Sequence, residues 1–245
     1  MDRRSGSPRP STRAAAEPRN GRTSSLDAES RRVSRLLEME AEARQRGVGV
    51  VAGVDEAGRG ALAGPVYAAA VALPPAPALR GLDDSKKLAP EVRGDLARRI
   101  RFVAVGWGVG SASSAEIDDL GIAPATFLAM RRALAALEAS AGRPGLVLVD
   151  GFPIPSLTLP QRAVVKGDAS VACIAAASIL AKTSRDAILE GLDRVRPWYG
   201  FAAHKGYGSA AHLAALRLHG PSPDHRLSFA GVLSPGRTAS TVAAA

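Results

Sequence analysis

The sequence predicts an α/β domain in which helices flank a mixed β-sheet, with a helical C-terminal part that includes a helix over residues 209–218. Apolar runs of strand length alternate with longer helical patterns along most of the chain. The first two runs are separated only by a glycine-rich turn and can pair with each other, whereas the later runs alternate with helices. Local strand pairing followed by strand and helix alternation indicates a mixed sheet.

The N-terminal half begins with a strand predicted over residues 48–54, a run of valine, alanine and glycine. A second apolar run over 64–73 predicts a strand that pairs with the first, and a cluster of three prolines ends it. Residues 90–101 predict a helix because Pro90 stands at its start, where proline is favoured. Residues 102–111 predict the third strand.

The C-terminal half alternates helices with buried strands. Ser114 opens a short helix that leads into a longer one over 125–141, and residues 146–149 predict a buried strand. An apolar run over 159–165 follows. Asp168 then fits the N-cap of a long helix over residues 168–189.

Both ends of the chain differ in composition from this pattern. Residues 1–25 are rich in Arg, Ser and Pro, and their six arginines against two acids carry +4 of the net charge of +9. Such a segment cannot bury enough apolar surface to become ordered, so we predict a flexible basic arm over 1–25 and a flexible tail over 234–245. Residues 26–233 remain as one folded domain, whose modest positive charge is only a weak indication of an anionic partner.

The cysteine content and the apolar runs indicate the compartment. Cys173 is the single cysteine, which excludes an internal disulfide or a cysteine-based zinc site and favours a reducing compartment. The longest apolar run, residues 169–181, is too short to span a membrane and contains two serines. We therefore expect a soluble cytoplasmic protein that does not contact membranes. We also expect it to act as a monomer.

Four carboxylates stand where apolar segments end or begin. Asp55 and Glu56 follow an apolar run directly, Asp150 ends another, and Asp168 precedes a third. Carboxylates gathered at the edge of a core repel one another and lose hydration, and a divalent cation such as Mg²⁺ or Mn²⁺ relieves both effects. The pattern predicts a metal site, for which the strand has to bend or end at Asp55 and Glu56 so that both side chains reach it.

Some of these residues also have simpler explanations. Asp150 followed by Gly151 is a common turn pair, and Asp168 is a common helix N-cap. Each of the five lysines stands beside glycine, aspartate, serine or threonine residues, which fits either phosphate contacts or solvated loops.

Several other chemistries lack their sequence signatures. The segment Gly58-Arg59-Gly60 is not followed by the Lys-Ser/Thr pair of a phosphate-binding Walker loop, and no dinucleotide-binding glycine pattern follows a strand. There is no Gly-x-Ser-x-Gly motif, and the four histidines lack metalloprotease spacing. A serine hydrolase and a zinc peptidase are thus disfavoured.

Six motifs in a fixed order resemble the signature of ribonuclease HII, the prokaryotic type 2 ribonuclease H. They are GVDEAGRGALAGPV from residue 53, DSKKL from 84, VDG from 149, KGD from 166, IAAASILAK from 174 and HKGYG from 204. The resemblance extends from about residue 50 to residue 229. It departs from the family pattern at Ala61, where proline is usual, and at Ser209, where threonine is usual.

The resemblance implies a ribonuclease H-like fold and an endoribonuclease that binds two Mn²⁺ or Mg²⁺ ions. It would hydrolyse the RNA strand of RNA/DNA hybrids and cut at single ribonucleotides in duplex DNA, leaving 5′-phosphate and 3′-hydroxyl ends. The implied catalytic and metal-binding residues are the four carboxylates Asp55, Glu56, Asp150 and Asp168. The implied substrate-binding residues are Gly58, Arg59, Gly60, Ser85, Lys86, Lys182, Lys205 and Tyr207, the last near the RNA-to-DNA junction.

Two rival functions remain open from the sequence. One is a non-catalytic hybrid-binding protein, which the complete set of carboxylates disfavours. The other is a different metal-dependent nuclease or polynucleotidyl transferase, which would not need a ribonucleotide for cleavage. Tyr207 could also be a half-buried ring that only fixes its loop to the domain.

Overall fold

The structure is a computed structural model that describes residues 21–233. In chain order, its elements are α1 (Gly21–Leu36), α2 (Glu38–Gln45), β1 (Val51–Ala57), β2 (Val66–Ala72), α3 (Pro90–Val103), β3 (Gly106–Ala112), α4 (Ser114–Leu120), α5 (Ile122–Ala141), β4 (Leu146–Asp150), β5 (Gln161–Val164), α6 (Gly167–Ser170), α7 (Ala172–Val195), α8 (Phe201–His204) and α9 (Ala210–His219). Residues 1–20 of the predicted arm and the predicted tail over 234–245 lie outside the described residues, and α1 begins within the last part of the predicted arm.

The five strands form one mixed sheet in the order β3-β2-β1-β4-β5. The β1, β2 and β3 strands pair antiparallel, whereas β4 pairs parallel with β1 and with β5. This arrangement confirms the predicted α/β fold with a mixed sheet. Because β1 and β4 are parallel neighbours, their C-terminal ends lie side by side in the middle of the sheet.

Helices cover both faces of the sheet. On one face α7 packs on β1 and β2, with α3 beside α7, and on the other face α5 packs on β2 and β3. Close approach of α7 to β1 requires Gly53, because a Cβ there would lie 2.2 Å from the backbone carbonyl carbon of Cys173. The α7 side chains are thereby held against the strand that carries Asp55. Cys173 itself is buried in the core.

Strand β1 runs past Asp55 and Glu56, where the sequence predicted that it would bend or end. It continues to Ala57, and Asp55 and Glu56 pair with Ala69 and Ala68 of β2. The predicted bend or end of the strand at the acidic pair is therefore wrong. Regular alternation places Asp55 on the α7 side of the sheet and Glu56 on the α5 side.

The predicted strand over 102–111 starts too early. Helix α3 extends through Val103, and β3 begins at Gly106. Phe102 is 90% exposed at the end of α3, so its apolar character did not mark a buried strand.

The start of the long C-terminal helix also differs from its prediction. Asp168 lies inside the short helix α6, and α7 starts separately after Val171. Asp168 therefore does not cap α7. In the first turn of α7, the backbone N–H of Cys173 donates to the fully buried carboxylate of Glu40 in α2, at 2.8 Å. Burial raises the pKa of Glu40.

No helix among the described residues has both the length and the apolar composition to cross a membrane.

Candidate active site

Three carboxylates meet where β1 and β4 lie side by side. Carboxylate oxygens of Asp55, Asp150 and Asp168 lie within 4.8 Å of one another. Asp55 is in β1, Asp150 ends β4, and Asp168 is in α6. The Asp150 Oδ1 accepts a 2.7 Å hydrogen bond from the N–H of Gly167, which ties the start of α6 to the end of β4. This contact brings Asp168 to the other two carboxylates, and oxygen atoms at this spacing suit a hard divalent cation.

Glu56 lies beside this group rather than in it. Its side chain borders the same cleft as Asp55 and Asp150, and it also borders a second cleft on the α5 side of the sheet, again with Asp150. Arg59 Nη1 contacts Glu56 Oε1 at 3.3 Å. The structure thus brings three of the four predicted carboxylates together and places the fourth at the adjoining edge.

The electrostatics of the group favour a bound cation. Burial, followed by the charges of Glu56 and Asp150, raises the pKa of Asp55 well above its usual value. Burial also raises the pKa of Glu56, and burial together with Asp168 raises that of Asp150. Raised pKa values in acidic groups mean that their ionised forms are destabilised, so a cation that binds the ionised forms gains free energy from relieving the repulsion.

Among the described residues, Lys86 is the cation that lies within ion-pairing distance of this group. Its Nζ lies 3.5 Å from Asp168 Oδ2, and the Lys86 side chain is 77% exposed. Burial opposes the positive charge, but Asp168, Asp84 and Asp55 outweigh it and raise the pKa of Lys86. An exposed lysine cannot neutralise three carboxylates, so most of the repulsion remains.

The cleft beside the carboxylates has a volume of about 240 Å³. Ten of the twelve predicted site residues border it: Asp55, Glu56, Gly58, Arg59, Gly60, Ser85, Lys86, Asp150, Lys182 and Tyr207. Asp168 joins through the carboxylate group described above. Lys205 does not border the cleft, because its Nζ binds Glu190 at 2.6 Å and the carbonyl of Ala202 at 2.8 Å.

The structure adds Ser178 to the predicted residues. Ser178 borders the cleft, and its Oγ lies 2.8 Å from Ser85 Oγ. A hydrogen bond from Ser178 also partly offsets the rise in the pKa of Asp55. The sequence contained a signal for this residue, because Ser178 stands four positions before Lys182 and therefore on the same helix face.

The glycine-rich loop after β1 depends on a buried arginine. Gly58 has a φ of +90°, and a Cβ at this position would lie 1.9 Å from Nε of Arg185. The same guanidinium donates to the carbonyl oxygens of Ala63, Pro65 and Lys205. A glycine is thus required at residue 58 by both backbone conformation and space.

Two buried histidines, His225 and His212, form a chain of hydrogen bonds that ends at the backbone carbonyl of Tyr207, and we call this pair the histidine relay. The N–H of Ser222 donates to His225 Nδ1 at 2.9 Å, so the proton of that neutral ring is on Nε2. His225 Nε2 then donates to His212 Nε2 at 3.0 Å, which leaves His212 Nδ1 to donate to the carbonyl of Tyr207 at 2.9 Å. Every hydrogen bond of the relay is satisfied only when both histidines are neutral.

We expect this relay to make the protein acid-labile. Burial lowers the pKa of His212, and burial together with His212 lowers that of His225 to about 4. The unfolded chain, with a histidine pKa of about 6.5, binds more protons, so stability decreases as the pH falls from about 6.5 toward 4. Between pH 7 and pH 5, His225 alone should cost about 2 kcal/mol of unfolding free energy. Urea unfolding of wild type and His225→Gln tests this, and an equal pH dependence in both proteins would contradict it.

We also expect divalent cations to stabilise the protein. Mg²⁺ or Mn²⁺ at 100 times its Kd should add about 2.7 kcal/mol to the unfolding free energy, because the unfolded chain has no assembled site. The melting temperature should rise by roughly 5–10 °C. The control uses KCl at equal ionic strength, and Asp150→Asn should lose most of the rise. An equal rise with KCl would show that the effect is only ionic strength.

A mixed five-stranded sheet of this order, with the buried Asp55 and the half-buried Asp150 on its adjacent parallel strands, defines the ribonuclease H-like class of metal-dependent nucleases.

Comparisons with known proteins identify the family within this class. The sequence model of the family Ribonuclease HII matches residues 52–232. Ribonuclease HII of Rhodococcus erythropolis is 49% identical over 208 residues, covering 84% of this chain and 91% of the relative. Ribonuclease HII of Bordetella pertussis is 55% identical over 187 residues, covering 76% and 92%. The crystal structure of ribonuclease H2 from Pyrococcus horikoshii matches with a TM-score of 0.62 and 26% identity, over 75% of this chain and 95% of that one.

The chain belongs to the ribonuclease HII family. The resemblance identified from the six motifs is therefore confirmed, and so is the prediction of a metal-dependent ribonuclease H.

Proposed function

We propose that this protein hydrolyses the RNA strand of RNA/DNA hybrids and also cuts at single ribonucleotides in duplex DNA by a two-metal mechanism. The observation that carries the proposal is one cleft that combines two features. The carboxylates Asp55 and Asp150 border it, and so do the glycine-rich loop over 58–60 and Tyr207. A reaction centre and elements able to recognise a ribose are therefore within reach of the same nucleotide.

The residues present fit divalent cations. Asp55, Asp150 and Asp168 would hold one ion between them, and Glu56 with Asp150 would contribute to a second at the adjoining edge. Two such ions, Mg²⁺ or Mn²⁺, would stabilise the attacking and the leaving oxygens of an in-line displacement. All candidate ligands are carboxylate oxygens, which these metals prefer.

The remaining cleft residues would position the substrate. Lys86 and Lys182 border the cleft and would contact phosphates. The Lys182 Nζ binds Asp186 at 2.7 Å and lies 5.8 Å from the ring centre of Tyr207, so its side chain is oriented along the cleft wall. Backbone N–H groups of the loop 58–60 can reach a 2′-hydroxyl, the group that separates RNA from DNA. Attack of water on phosphorus with departure of the 3′-oxygen would leave 5′-phosphate and 3′-hydroxyl ends.

The test compares three duplexes of one sequence: all DNA, DNA with one ribonucleotide, and an RNA/DNA hybrid. We expect cleavage of the second and third in Mg²⁺ or Mn²⁺, and no cleavage of any with EDTA. Equal cleavage of the all-DNA duplex would indicate the rival metal nuclease. Binding without cleavage of any duplex would indicate the non-catalytic hybrid-binding protein. A monomeric state and a cytoplasmic location stay predictions.

A further inference from the structure

Arg226 is a buried cation whose side-chain hydrogen bonds all go to backbone carbonyls, and its guanidinium also lies 5.1 Å from the ring centre of Phe229. Its side chain is 0% exposed, and its Nε donates to Gly64 O at 2.9 Å. The two terminal nitrogens donate to the carbonyl oxygens of Arg59 and Gly58, each at 2.8 Å. Among the described residues, no carboxylate lies within ion-pairing distance of this guanidinium.

These contacts fix the direction of two consecutive peptide groups. In a planar trans peptide the N–H points opposite to the C=O. Because the carbonyls of Gly58 and Arg59 point inward to Arg226, the N–H groups of Arg59 and Gly60 point away from it. Neither N–H has an acceptor among the described residues, and both residues are exposed and border the cleft.

The choice of arginine follows from this geometry. Three carbonyl oxygens are contacted by one planar guanidinium, whose donors have a fixed fork geometry that an ammonium group lacks. Burial lowers the pKa of Arg226, and the nearby Arg185 lowers it further. A charge buried without an acidic partner is expensive for stability, which indicates that its position serves more than packing.

The segment that carries Arg226 is itself anchored on both sides. The N–H of Arg226 donates to Leu62 O at 2.9 Å, on the same chain segment that the side chain holds. The next two N–H groups, of Leu227 and Ser228, donate to the carboxylate of Asp118, each at 2.9 Å. The guanidinium is therefore a fixed support for the loop 58–60.

We propose that Arg226 is a positioning residue for substrate recognition: it turns the N–H groups of Arg59 and Gly60 into the cleft, where they bind an oxygen of the ribonucleotide. This inference deepens the proposed function and rests on it. Arg226 touches no reacting atom, so its effect is on the discrimination of ribose from deoxyribose rather than on the hydrolytic step.

The test measures binding without cleavage. Duplexes with one ribonucleotide and without any are titrated in EDTA with wild type, Arg226→Lys and the matched control Arg44→Lys. Arg44 also donates to a backbone carbonyl, that of Leu73, but lies outside the cleft. For Arg226→Lys we expect the preference for the ribonucleotide duplex to fall about tenfold, as for loss of one or two hydrogen bonds, with all-DNA affinity within about twofold of wild type. Arg44→Lys should retain the full preference.

The outcomes separate the two proposals. A lower melting temperature in Arg226→Lys with an unchanged preference would overturn the positioning role and leave the proposed function intact. A wild-type protein that cleaves no ribonucleotide-containing duplex would overturn both.

A second measurement needs no variant. In ¹H–¹⁵N spectra of the wild-type protein, the amide protons of Arg59 and Gly60 should move downfield with the ribonucleotide duplex and stay in place with the all-DNA duplex. Identical spectra with the two duplexes would also overturn the role of Arg226, even if Arg226→Lys did not fold.

Discussion

Asp55→Asn is expected to lower kcat by about 10³-fold or more in Mg²⁺, because several kcal/mol of transition-state stabilisation are lost with the metal ligand. The same substitution should raise the melting temperature of the metal-free protein by a few degrees. Asp55 has a raised pKa, so its ionised form costs stability at neutral pH, and asparagine removes that charge. The asparagine oxygen can still accept the 2.7 Å hydrogen bond from the N–H of Glu56.

The two opposite effects make this prediction specific. A structural defect would lower both activity and stability, whereas loss of a metal ligand lowers activity alone. The matched control is Asp95→Asn, which removes an exposed carboxylate paired with Arg98 on α3. It should change neither kcat nor the metal-free melting temperature appreciably. Near wild-type turnover of Asp55→Asn in Mg²⁺ would refute the catalytic assignment.

Tyr207→Ala should depress cleavage at a single embedded ribonucleotide at least about tenfold more than cleavage of a long RNA/DNA hybrid. A long hybrid offers many registers, so loss of one recognition element is partly compensated, whereas a single ribonucleotide offers one. Tyr207 is 39% exposed as a whole residue, and the guanidinium of Arg185 lies 5.4 Å from the centre of its ring. A partly exposed aromatic ring beside a cation is suited to stacking on a sugar or base, which is worth about 1–3 kcal/mol.

Two further variants refine this experiment. Tyr207→Phe keeps the ring and removes the hydroxyl, so it separates stacking from hydrogen bonding. Trp198→Ala removes another exposed aromatic ring, outside the cleft, and should affect neither substrate. Equal losses on both substrates in Tyr207→Ala, together with a clear drop in melting temperature, would mean that the ring is structural.

The parts of the site that the sequence predicted are those defined by short-range patterns. Asp55 and Asp150 follow apolar runs, and their parallel strands bring them together at the middle of the sheet. The position of Glu56 was harder to predict. Its place next to Asp55 in the sequence suggested that both side chains reach one metal site, but alternation along the strand directs the Glu56 side chain to the opposite face of the sheet. Lys205 matched a motif, but an ion pair with Glu190 holds its side chain away from the cleft, and that pairing depends on the packed fold.

Long-range partners could not be read from the sequence. Arg185 and Arg226 appear as ordinary basic residues, and only the fold shows that each binds three backbone carbonyls. The same limit explains the wrong N-cap prediction for Asp168. A suitable residue type stood beside the helix, but a carboxylate 133 positions away along the chain accepts the hydrogen bond from Cys173.

Glu40, which accepts that hydrogen bond, lies in a part of the chain that precedes every candidate catalytic residue. Helix α7 carries Ser178, Lys182 and Arg185, and its first turn is held by a residue that precedes the family match, which begins at residue 52. The stretch that the family model matches is thus shorter than the part of the chain that holds the cleft residues in place. A truncated protein that starts at residue 52 would keep every candidate catalytic residue and still expose the first turn of α7.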